Sequence, residues 1–72
     1  MTRDICVSLG KKIRELRKER GWRQIDLAEH AGINENYVSD LETGKKEVCL
    51  RTLQILAKAL GVKTAELLRG VE

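Results

Sequence analysis

Apolar residues recur along this chain at steps of three and four, and glycine interrupts the recurrence at intervals of helical length. Ile5, Leu9, Ile13 and Leu16 fall at steps of four, four and three, which is one face of a helix. The spacing predicts a first helix over residues 4–20, with its basic residues mostly off the apolar stripe. Gly10 sits inside it at a cost of about 1 kcal/mol against Ala, so the early turns are expected to be its least stable part. Ile25, Leu27, Ala28 and Ala31 give the apolar side of a second helix over 23–31, which Gly32 ends. Asn34 is placed to cap a third helix running to residue 43, with Tyr37, Val38 and Leu41 as its apolar residues. Residues 44–48 read as a loop. Leu50, Leu53, Leu56, Ala57 and Leu60 define a fourth helix over 50–60. After Gly61, Lys63 or Thr64 starts a short fifth helix ending near Arg69. There is no repeat, linker or low-complexity tract, so residues 1–72 read as a single domain.

Composition narrows the class. The chain has 72 residues, 42% of them apolar and 35% charged, which fits a folded domain rather than a disordered chain. It lacks Pro and has only two aromatics, Trp22 and Tyr37. Strand-rich chains favour aromatics and Pro-marked turns, so the expectation is all-α. A domain this small leaves no room for a catalytic unit beside a binding unit. No apolar run approaches the roughly 20 residues of a membrane span, and residues 1–10 do not read as a signal peptide, so the expected location is cytoplasmic. Cys6 and Cys49 are too few for a zinc site or a disulfide scaffold and read as reduced, partly buried thiols. His30 reads as a surface histidine and Trp22 as packing at a helix junction. Ser39 and His30 lack the third group that a nucleophile–base pair needs. With no metal cluster or phosphate loop either, neither enzyme activity nor a cofactor or metal is expected.

The net charge of +3 is unevenly spread. Residues 1–23 hold eight bases against three acids, +5; residues 24–44 hold no base and five acids, −5; residues 45–72 hold six bases and three acids, +3. Two basic flanks around an acidic middle is an unusual footprint for a protein that binds a polyanion.

The second and third helices are short and joined by about three residues, the signature of a helix-turn-helix over about 23–43. Ala28 is small where the third helix crosses closest. Gly32 permits a positive φ in the turn, and Leu27, Ile33, Val38 and Leu41 fill the wedge. Gln24, Leu27, Ala28, Gly32, Ile33, Ser39, Leu41, Glu42 and Gly44 together resemble the pattern of the phage repressor and Cro, or Xre, helix-turn-helix family. The flanks from Ile13 to Arg17 and from Leu53 to Val62 agree, so the likeness covers residues 9–68. Within the family, Asn36-Tyr37-Val38-Ser39 is similar to short regulators such as restriction–modification controller proteins.

The resemblance implies a five-helix, lambda-repressor-like domain that binds operator DNA as a homodimer, with the third helix in the major groove. Carried over by position, Glu35, Asn36, Ser39 and Asp40 face bases. Tyr37 packs on the sugar–phosphate edge or a thymine methyl. Gln24 binds a phosphate at a helix N-terminus, and Lys45 and Lys46 reach phosphates beyond the third helix. Arg17 and Glu42 match an internal ion pair. Val62, Ala65, Leu67, Leu68 and Val71 are expected at the dimer interface. Three departures stand out. Arg23 replaces a capping Ser or Thr, which weakens the cap and adds a phosphate contact. Cys49 replaces the usual Ser before the fourth helix. The recognition helix carries no Lys or Arg, so the bidentate Arg–guanine contact is closed to it. Asn36 can instead pair with adenine, and Glu35 or Asp40 can accept from cytosine. The expectation is specificity by rejection, with affinity supplied from outside that helix. The acidic middle also leaves open an antitoxin-like module that covers a protein partner.

Overall fold

The computed structural model describes residues 4–71, and its element order is five α-helices: α1 (Ile5–Glu19), α2 (Gln24–Ala31), α3 (Glu35–Glu42), α4 (Leu50–Leu60) and α5 (Thr64–Leu68). The all-α expectation holds. The boundaries differ from the periodicity reading by a residue or two, because capping residues stand outside the helices they start. Asp4 and Asn34 are such caps. The Asp4 carboxylate accepts the Cys6 N–H at 2.9 Å, and the Asn34 side chain accepts the Asn36 N–H at 2.7 Å.

α1 packs on α3 and α5, α2 on α3 and α4, and α4 on α5. The core lies between them. It holds the α1 stripe of Leu9, Ile13 and Leu16, then Leu27 and Ala28, Val38 and Leu41, Leu53, Leu56, Ala57 and Leu60, and finally Leu67 and Val71. Ile33, Tyr37 and Trp22 pack against its edge. The residues read as the wedge of the helix-turn-helix are therefore the ones that hold α2 against α3. Gly32 ends α2 with φ 70°, a left-handed conformation that costs an L side chain but not glycine.

Three expectations are corrected. Gly10 is not merely a weak point of α1. It is buried, and a Cβ there would lie 2.6 Å from the Glu42 carbonyl oxygen and against that of Leu41. It lets α1 approach the end of α3. Leu67 and Val71, expected at a dimer interface, are 0% and 8% exposed within the single chain and belong to its core. Of the two thiols, Cys6 is half-buried and Cys49 exposed, so only the first fits the reading of a partly buried thiol. Burial and the nearby Asp4 and Glu47 carboxylates push the Cys6 thiol above its ordinary pKa. The Thr52 hydroxyl, 3.1 Å from the Cys49 sulfur, holds that thiol below its own. No helix of the described residues is long and apolar enough to cross a membrane.

Candidate nucleic-acid interface

α3 turns two faces to its surroundings. Val38 and Leu41 anchor one in the core. Glu35, Asn36, Ser39 and Asp40 share the opposite side at helical spacing, the first two exposed and the last two half-buried. The expected base-facing set is thus brought together on one surface. Thr43 continues it at the C-cap, seven residues after Asn36. Its hydroxyl donates to the Ser39 carbonyl at 3.0 Å. The set read from sequence stops at Asp40, although Thr43 keeps helical spacing from Asn36 and Ser39.

Tyr37 lies beside this face, half-buried against the core, with the Lys46 ammonium 6.0 Å from its ring centre. Lys46 also pairs with Asp40 at 3.3 Å. The loop after α3 thereby neutralises one acid of the polar face, Asp40, which eases the repulsion that a carboxylate offers to phosphate. Lys45 is exposed.

At the start of α2, Arg23 occupies the cap position and has no acceptor to offer the freed N–H groups. Asp26 supplies the reciprocal half of the cap instead. Its carboxylate accepts the Arg23 backbone N–H at 2.8 Å and the guanidinium at 3.2 Å. These hydrogen bonds hold the Asp26 carboxyl below its ordinary pKa. Arg23 reaches solvent but already has a carboxylate partner.

Gln24 is held from inside. Its Nε2 donates to Glu42 Oε1 at 3.1 Å, where Arg17 Nη2 also donates at 3.0 Å, while Arg17 Nε reaches Oε2 at 2.6 Å. Arg17 Nη1 closes the network on the Trp22 carbonyl at 2.7 Å. Both charged partners are buried, and the bidentate geometry with the further bonds compensates their desolvation. One network thus joins α1, the turn after it, the first residue of α2 and the last of α3. It fixes the orientation of the Gln24 amide and leaves the second N–H of Nε2 uncommitted to Glu42. Trp22 stacks on His30 with ring centres 4.1 Å apart, bracing the same turn from the far end of α2.

A helix-turn-helix family model matches residues 13–67. The chain is 47% identical over 66 residues to the HTH-type transcriptional regulator DdrOP3 of Deinococcus deserti, a match covering 92% of this chain and 51% of that protein. It therefore spans about half the length of that relative. It is 35% identical over 69 residues to the control protein C.BamHI of Bacillus amyloliquefaciens, covering 94% of this chain and 85% of that one. The crystal structure of the restriction-modification controller protein C.AhdI from Aeromonas hydrophila superposes with a TM-score of 0.84 at 37% identity, over 86% of this chain and 94% of that one. By the match along residues 13–67, and by a fold shared with these regulators, the chain belongs to the helix-turn-helix family of the Xre/Cro type.

Proposed function

We propose that the chain is a sequence-specific transcriptional regulator that binds operator DNA in the cytoplasm as a homodimer, with α3 in the major groove. The observation that carries this is the two-faced α3. Its apolar side is locked into the core, while Glu35, Asn36, Ser39 and Asp40 stand together on the other. A scaffold that holds one side of a short helix in the core and turns its polar side outward is what major-groove readout requires. Asn36 offers the amide fork that fits adenine, Glu35 an acceptor for the cytosine amino group, and Ser39 a hydroxyl that suits either. Asp40 does so only in exchange for its bond to Lys46. Tyr37 is placed for the sugar–phosphate edge or a thymine methyl. Gln24, oriented by Glu42, donates its remaining N–H to a phosphate at the N-terminus of α2, flanked by Arg23. Lys45 and Lys46 reach phosphate beyond α3.

Burial narrows the proposed dimer contact to part of the positions expected from sequence. Leu67 and Val71 are spent inside the monomer, whereas Leu68 and Ala65 remain exposed and Val62 half-buried. Leu68 borders an apolar cleft with Ile5, Leu9, Val48, Leu50 and Leu53. Ile5, Leu50 and Leu68 are the apolar side chains that a two-fold partner would cover. Two such protomers present their α3 helices to half-sites about 34 Å apart.

The test is selection from a random duplex pool by the purified chain, followed by sequencing. An enriched palindrome with half-sites one helical turn apart is the expected result. No enriched motif at moderate salt would overturn base reading by α3 and direct attention to a protein partner.

A further inference from the structure

Of the cations nearest the proposed reading face, only Lys45 is exposed without an ion pair among the described residues. Arg23 is held by Asp26, Lys46 by Asp40 and Arg17 by Glu42. A cation already paired with a carboxylate adds little to the attraction for a polyanion unless that partner is displaced. One unpaired lysine supplies little of the affinity, and the outer face of α1 offers more. Lys11, Arg14 and Lys18 lie at spacings of three and four, so they share one side of α1 and line a shallow groove with Glu15. All three are exposed, and among the described residues none of them forms an ion pair.

The register of α1 aims this ridge. Val7 is one turn before Lys11 on the same side, and it lies against Gly44, where a Cβ would come within 2.7 Å of Val7 Cγ2 and 2.9 Å of its Cα. Gly44 is the residue before Lys45 and Lys46. The ridge thus starts beside the loop proposed to reach phosphate and continues away from it along α1. From Lys11 to Lys18 is about 10 Å at 1.5 Å per residue. Measured along the duplex axis, that is about three charges of one strand at 3.4 Å each.

We infer that Lys11, Arg14 and Lys18 form a second, sequence-independent phosphate-binding track, which holds the backbone of duplex DNA flanking the site read by α3. The ridge has no aromatic, amide or apolar side chain to read a base or enter a membrane, and its charge is uniform apart from Glu15. Its partner is a regular polyanion, and its continuity with Lys45 and Lys46 makes that polyanion the same duplex. The inference rests on the DNA-binding reading of α3, but its energetic signature is separate.

The experiment measures the affinity of the full chain for the selected operator and for a random duplex of equal length, at salt from about 50 to 200 mM. In the variant K11Q/R14Q/K18Q, the slope of log affinity against log salt should become shallower by roughly 2–3 per protomer on both duplexes. The ratio of the two affinities should stay that of the wild type. Gln keeps nearly the helix propensity of Lys and Arg, and far-UV circular dichroism verifies that α1 persists. E15K should steepen the slope by about one. A wild-type slope in the triple variant, with the operator still preferred, overturns the track and leaves the α3 reading standing. A shallower slope in the triple variant of a chain that prefers no sequence does the reverse. A wild-type chain without salt-dependent duplex binding overturns both.

Discussion

Asn36 and Glu42 stand on one helix and illustrate how burial divides roles among polar residues. Asn36 is exposed and its side chain bonds to nothing that holds the fold, so Asn36→Ala should leave thermal stability nearly unchanged. On the selected operator it should lower discrimination at one base pair by about 1–3 kcal/mol, measured by competition with single-base variants. Glu42 is buried with Arg17 and Gln24 against it. Removing it strands a guanidinium, and Glu42→Ala should cost about 3–5 kcal/mol in urea unfolding. Replacing Arg17 and Glu42 together by apolar residues should recover most of that loss, because no lone charge remains buried. Asp26 adds a pH dependence. Its folded-state pKa is lowered, so its contribution is fully present above the unfolded-chain value and is lost as pH falls through the folded value. Thermal melts from about pH 5 to pH 2 should show less of this acid-induced loss in Asp26→Asn. The Arg17–Glu42 pair became legible through family resemblance alone. Twenty-five residues separate its partners, and no helical period links them.

At the level of elements, Gly10 reverses a sequence-based sign. By helix propensity, Gly10→Ala should stabilise α1 by about 1 kcal/mol. In the fold, the added methyl meets backbone of α3, including the Glu42 carbonyl carbon at 2.8 Å, and a backbone atom cannot turn aside as a side chain can. The net expectation is destabilisation by about 1–3 kcal/mol, read from denaturant melts. Capping was more legible. Asn34 could be named as a cap from its place before an apolar period, since a cap acts within four residues. The replacement for the missing cap at Arg23 was not foreseen, because it depends on Asp26 turning back to the backbone.

For the molecule as a whole, Leu67 and Leu68 separate folding from assembly. They are adjacent in sequence, yet Leu67 is 0% exposed and Leu68 43%. Leu67→Ala should cost about 2–5 kcal/mol and loosen the monomer. Leu68→Arg, or Leu50→Arg at a site 77% exposed, should leave the helical content intact and shift sedimentation toward monomer. Operator affinity at low protein concentration should then fall by at least about tenfold, or 1.4 kcal/mol. A Leu50→Arg chain that still sediments as a dimer would move the contact off this cleft.

The sequence by itself determined the five helices, their order and the polar face of α3. Period, caps and glycine stops act over a few residues and are written locally. Family resemblance added the Arg17–Glu42 pair. Tertiary structure decided which apolar residues are spent on the core, as at Leu67 and Val71, and which stay exposed, as at Leu50 and Leu68. It also decided that Gly10 serves close approach, that Asp40 and Asp26 hold the nearby cations, and that Lys11, Arg14 and Lys18 stand unpaired on the outer face of α1. Each of these depends on distances between segments far apart in the chain, and helix periodicity carries no information about them until the helices are packed.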